Sequence, residues 1–342
     1  MHFNISMIFP LILCLMLPSA FAQPTTGPAA VTGKSIVFIA TNMRIGGIKD
    51  VQESFAEAAE KLKWQVQVID CAGKKNNAVK AMESAVHAKT DGIVLGGFDG
   101  ADHRDLVKKA QKMGIKIVGW HAAAQPGPNQ YMFVNITTEP ESVAQSAAEQ
   151  IAHYGAKEGG VILLTDRDYS MATAKTLALK RAVEKMRKFK VLTVVDLPLS
   201  QSDQKIMNMV KSWNQRFGSS WTHTVGINDL YFDHMARALR AVDREDIVGI
   251  GAGDGSSDAI LRVTEQESPQ LVTVAEPLRT QGWQLADELN RAFAGQNPSG
   301  YQTELIVVSK RNLNGLNPDN VEANIPYRQA YLKIWFPKGS VK

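Results

Sequence analysis

Three polar side chains follow apolar, strand-like runs in the second half of the chain: Asn228 after residues 224–227, Asp254 after 247–250 and Glu276 after 271–274. Each would stand at the carboxyl end of a strand, the edge where open α/β sheets bind ligands. Gly251, Gly253 and Gly255 flank Asp254 and let the backbone turn sharply and come close to whatever the carboxylate touches. A hydroxyl group is both donor and acceptor, so planar amides and carboxylates that bridge two neighbouring hydroxyls suit its recognition. The competing reading of Asp254 and Ser256 is a cap on the next helix.

Other strand ends carry further candidates. Trp120, Phe98 and Tyr169 offer flat apolar faces, and Trp120 is followed by the polar His121. Asn42 and Arg44 follow the first apolar run, and Asp168 lies in the loop after residues 161–164. Lys175, a little further on, is expected on a solvated helix face. Phe98 and Tyr169 also suit simple packing positions.

Several motifs do not hold. Gly33-Lys34-Ser35 precedes a strand pattern instead of following one, so it is no phosphate loop. The glycines around 249–255 break the dinucleotide pattern, whose third glycine falls on Asp254. Ser202 with Lys205 matches the serine half of a β-lactamase motif, but its companions are missing and a helix start is the better reading. The histidines show no metal spacing and the cysteines are not paired, so no zinc site and no cofactor are expected.

These residues need elements to hold them. Residues 36–39 form a run apolar on both faces, as a buried parallel strand requires, and Ile48, Val51, Phe55, Ala58, Ala59 and Leu62 recur at helical spacing. The alternation continues with strands near 66–69, 92–95 and 115–118, with helical patterns over 78–88 and 106–113 between them. Residues 131–135 close this half. A second series starts with a long helix over 139–154, followed by strands at 161–164, 191–195, 224–227, 247–250 and 271–274. The helices between them are expected at 173–189, 204–217, 229–241 and 257–267. A helix over 278–294 and a strand over 304–308 come last, before a tail from Asn312 with Tyr327, Tyr331, Trp335 and Phe336. The fold class is therefore α/β, with two Rossmann-like lobes joined near Thr137, each a parallel sheet with helices on both faces. A two-lobed molecule places a cleft between its domains.

At 342 residues the chain suffices for two domains, and 44% hydrophobic with 21% charged residues is the make-up of a folded soluble protein. The net charge of +4 is dispersed, which argues against nucleic acid as a partner. Residues 5–17 are an apolar run too short to span a bilayer, and Ala20-Phe21-Ala22 follows as a small-x-small cleavage site. Residues 1–22 are thus expected to be a cleaved signal peptide. Cleavage removes Cys14 and leaves Cys71 alone, so no internal disulfide is available. Residues 23–33 read as a flexible leader.

With this address, two β-α halves, Val225-Gly-Ile-Asn-Asp and then Gly251-Ala-Gly-Asp-Gly, the chain resembles a periplasmic sugar-binding protein of the ribose/galactose type. The resemblance spans residues 35–308. It implies a multi-strand hinge, with an N-terminal lobe of residues 34–137 plus 277–308 and a C-terminal lobe and tail of 138–276 plus 309–342. It implies that Asn228 and Asp254 bind sugar hydroxyls and that Glu276 stands at a hinge crossing where relatives carry Gln or Asn. Many relatives have Asp-Arg or Asn-Lys where this chain has Trp120-His121, and aromatics where it has Gly46 and Gly47. The implied role is a periplasmic, monomeric, non-enzymatic receptor. It would hand a sugar, polyol or sugar derivative to the permease of an ABC transporter. The alternative is sensing, with a chemoreceptor or sensor kinase as partner and the aromatic tail either enlarging that surface or strapping the hinge.

Overall fold

The computed structural model describes residues 24–264, 268–313, 317 and 320–337. The expected signal peptide lies outside the described residues. Among the described residues the strands form two six-stranded sheets.

The first sheet has the order β2-β1-β3-β4-β6-β5. Its strands are β1 (Ser35–Ala40), β2 (Gln65–Asp70), β3 (Gly92–Gly96), β4 (Lys116–Trp120), β5 (Gly127–Asn129) and β6 (Met132–Ile136). All pair in parallel except β5, which runs antiparallel to β6. Side chains alternate across a strand, so β1 sends Val37 and Ile39 to one face and Ile36 and Phe38 to the other. The first pair packs on α2 (Lys75–His87) and α3 (Arg104–Lys112) through residues such as Met82 and Val107; the second packs on α1 (Gly46–Lys61) and α9 (Leu278–Phe293) through Phe55 and Leu289.

The second sheet has the order β12-β11-β10-β9-β7-β8. It comprises β7 (Gly159–Thr165), β8 (Phe189–Asp196), β9 (Trp221–Gly226), β10 (Val248–Gly251), β11 (Gln270–Ala275) and β12 (Ile306–Ser309). Val161, Leu163, Val225 and Ile250 meet α4 (Pro140–His153) and α5 (Ser170–Glu184) on one face. Ile162 and Leu164 meet α6 (Ser202–Phe217) and α7 (Met235–Arg240) on the other, and α8 (Ser257–Thr264) covers Ala275 and Val308. In both sheets the strand order reverses beside the first strand, and a crevice opens at such a reversal.

Some expectations need correction. The strand expected at 304–308 in the first lobe is β12, paired antiparallel with β11 in the second sheet. The tail was expected with the second lobe, but its helix α10 (Tyr327–Trp335) returns to the first: Trp335 stacks on Trp283 of α9 at 5.4 Å and Arg328 pairs with Glu57 of α1. Tyr327, Tyr331 and Trp335 are buried in that packing, so these three rings offer no docking surface. The leader over 24–33 is not a free linker either. Ala30 N–H donates to the Trp335 carbonyl, Val31 N–H to Asn290 Oδ1, and Trp64 Nε1–H to the Val31 carbonyl, so the leader's backbone satisfies polar groups of α10, of α9 and of the Trp64 ring. The helix expected over 229–241 is a 3-10 turn, Asp229–Phe232, and the shorter α7; Asp229 turns inward and ends the regular pattern.

Candidate functional site

The segments after β1, β3 and β4 in the first lobe and after β7, β8, β9 and β10 in the second face one another. They border a cavity with about 430 Å³ of free space, the solvent at its mouth included, lined by Ile45, Ile48, Gly97, Trp120 and His121 from one lobe and by Tyr169, Met171, Ala172, Lys175, Leu199, Ile227, Asn228 and Asp254 from the other. Five of the sequence candidates thus come together here: Trp120, His121, Tyr169, Asn228 and Asp254.

Asp254 ends the β10 loop at a positive φ of 53°, a conformation that Asp tolerates better than most side chains. It is 4% exposed. Asn228 Nδ2 donates to Asp254 Oδ2 at 2.5 Å, and Asn228 Oδ1 accepts from the Leu230 N–H, so the amide is fixed in orientation by its own turn. Burial raises the Asp254 carboxyl above its ordinary range; His121 and Lys175 oppose this and Glu276 adds to it. Behind Asp254, Asp229 accepts hydrogen bonds from Gly255 N–H, Gln270 Nε2 and Thr273 Oγ1. Its burial pushes the carboxyl up to about 6, against the pull of Arg262 and with the push of Asp254.

Glu276 does not line the cavity. It sits one layer back, fully enclosed, where Lys175 Nζ lies 3.1 Å from Oε1 and His121 Nε2 lies 3.1 Å from both oxygens. Thr138 N–H and Gln281 Nε2 donate to Oε2. Burial alone would raise this carboxyl, but His121 and Lys175 hold it well below the usual range. With its oxygens taken, Glu276 positions other groups and also ties the first lobe crossing, at Thr138, to the second. His121 has a positive φ of 49°, which lays its ring on Trp120 at 3.8 Å and 8° from parallel. Trp120 Nε1–H donates to Gln281 Oε1.

Lys175 was expected on a solvated face and is instead 3% exposed; it lines the cavity, with its ammonium 3.1 Å from Glu276 Oε1. A lysine survives such burial only when paired, and Glu276 is its partner. The sequence signal was its position on the inward face of α5, beside Met171 and Ala172. The remaining candidates lie elsewhere. Arg44 is 74% exposed and pairs with Asp203 at the surface. Asn42 is buried beneath it, and its Oδ1 accepts from the Arg44 N–H, which makes it a turn residue. Phe98 and Asp168 line a separate groove at the lobe boundary with Thr41, Asp99 and Tyr169, and Lys75 pairs with Asp168 there at 2.8 Å.

Two further contacts hold the lobes together. Asp50 of α1 accepts from the N–H of Ser257, the first residue of α8, at 3.0 Å. Asp99 accepts from the N–H and hydroxyl of Ser170, which opens α5, at 3.2 and 2.8 Å. Each carboxylate satisfies helix N–H groups that would otherwise lack a partner, and does so across the cleft. Among the described residues no cluster of three metal-binding side chains occurs and no helix is long and apolar enough to cross a membrane.

Residues 36–297 match the family model for the periplasmic binding protein domain. No curated protein sequence matches the chain. Among solved structures, an ABC transporter solute-binding protein from Agrobacterium vitis with bound allitol aligns with a TM-score of 0.71 and 17% identity, covering 83% of this chain and 98% of its own. The Caulobacter myo-inositol binding protein aligns at 0.71 and 13%, covering 84% and 98%. A sugar ABC transporter protein from Yersinia enterocolitica aligns at 0.74 and 18%, covering 88% and 93%.

Proposed function

Because the chain belongs to the periplasmic binding protein family, we propose that it is a periplasmic solute-binding protein that captures a small polyhydroxylated ligand between its lobes and delivers it to the permease of an ABC importer. The observation that carries this reading is the interlobe cavity itself. At one end it gathers Asn228, Asp254, Lys175 and His121, donors and acceptors suited to hydroxyls, and at its sides aromatic and aliphatic groups. Structural relatives that hold allitol or myo-inositol support the ligand class. In this reading the chain makes and breaks no bond. The ligand is bound by both lobes at once, so it favours the closed arrangement by the difference in its affinity for closed and open forms.

A thermal-shift screen with sugars, polyols and sugar acids tests the proposal, since a ligand that binds only the native state raises the melting temperature. At least one sugar or polyol is expected to raise it in a dose-dependent way. A flat response to sugars and polyols alongside a clear shift with sugar acids would overturn the ligand class.

A further inference from the structure

The polar side chains Asn228, Asp254, Lys175 and His121 cluster in the cavity, the first two bonded to each other and the last two to Glu276. Among the described residues Asp254 Oδ1 is not engaged by any side chain, while Oδ2 is taken by Asn228; Lys175 lines the cavity, and its Nζ, which has three N–H groups, makes one side-chain hydrogen bond, to Glu276. A hydroxyl satisfies both, giving its proton to Asp254 and accepting from Lys175. Much of the remaining lining is aliphatic, Ile45, Ile48, Met171, Ala172, Leu199 and Ile227, together with the rings of Trp120 and Tyr169. None of the six aliphatic side chains donates or accepts a conventional hydrogen bond. A ligand with hydroxyls all round would bury several against them unpaired, which is costly, whereas a methyl or methylene group there gains from leaving water.

We infer that the site selects a deoxygenated ligand, a deoxysugar or deoxypolyol whose hydroxyls cluster at one end to meet Asp254, Asn228 and Lys175 and whose other end is apolar. This rests on the reading of the cleft as the solute site. The charge arrangement adds that the ligand is neutral: Lys175 is already balanced by Glu276, so a carboxylate or phosphate would be desolvated beside an ammonium that is already paired and near a second acid, Asp254.

Matched pairs separate the inference from the reading beneath it. Calorimetric titration compares D-fucose with D-galactose and L-rhamnose with L-mannose, pairs that differ by one hydroxyl. The deoxy member of at least one pair is expected to bind about tenfold or more tightly than its partner, one unpaired buried hydroxyl being worth that ratio. In Met171→Gln and Leu199→Gln, which place an amide on the apolar wall, that preference is expected to shrink. Equal or tighter binding of the fully hydroxylated members overturns the inference and leaves the sugar site standing, as does a preference that survives both substitutions. If no member of either pair binds while the thermal-shift screen returns a fully hydroxylated sugar or polyol, the inference falls and the solute site stands; if neither these pairs nor any sugar or polyol of the screen binds, the reading of the cleft falls and takes the inference with it.

Discussion

At the scale of single residues, the ion pair of Lys175 and Glu276 decides how the polar end of the cavity is held. Both are nearly fully buried, so removing one charge leaves the other stranded, which typically costs about 3–5 kcal/mol. Glu276→Gln is therefore expected to melt well below the wild type at neutral pH. The pH dependence follows from the direction of the shift. Glu276 is held well below its ordinary value of 4.5, so its stabilisation is complete above that value and is lost as the pH falls through the lowered one. The melting curves of wild type and Glu276→Gln should thus converge on acidification from about pH 4.5 downward. A difference that stays constant from neutral to acid pH would remove Glu276 from this role. The sequence showed Asn228, Asp254 and Glu276 as strand-end residues, yet not that Glu276 stands behind the lining. That depends on which donors reach it, and Lys175, His121 and Thr138 come from three distant segments.

At the scale of elements, the start of α1 sets how closely the lobes meet. A Cβ on Gly47 would lie 2.5 Å from Asp254 Oδ2, and one on Gly46 would lie 2.6 Å from Ser256 Cβ. Here the glycines noted in the sequence as a departure from aromatic-bearing relatives acquire a physical meaning: the β10 loop of the second lobe fills the space a side chain would take. Gly47→Ala is expected to act differently on two readouts. Alanine suits a helix better than glycine, and opening of the lobes relieves the overlap with Asp254, so the ligand-free protein should be about as stable as the wild type. Closure would be obstructed, so ligand affinity should fall about tenfold or more, as for any change that depopulates the competent state. Unchanged affinity would show that α1 and the Asp254 loop do not meet in the bound form. Short apolar runs and helical spacing made most strands and helices of both lobes readable. The destination of β12 and α10 was not readable, because partners that lie across the fold, such as Trp283 for Trp335, leave no local trace.

At the scale of the whole molecule, two sheets of like topology face each other across a cleft, and the chain passes between them near Thr138 and again at Glu276. The carboxylates Asp50 and Asp99 each reach over to cap a helix of the opposite lobe, so this arrangement has contacts that a more open one would surrender to water. Such contacts are individually modest, about 1 kcal/mol for a helix cap, and small terms of this kind leave the balance between the two forms within reach of a ligand. The most direct test is calorimetric titration of the best ligand from the thermal-shift screen into wild type, Asp254→Ala and Asn228→Ala. Binding is expected to be clear in the wild type and weakened by about tenfold or more in each variant, with Asp254→Ala the more severe. Wild-type affinity retained in both variants would contradict the assignment of the interlobe cavity as the binding site.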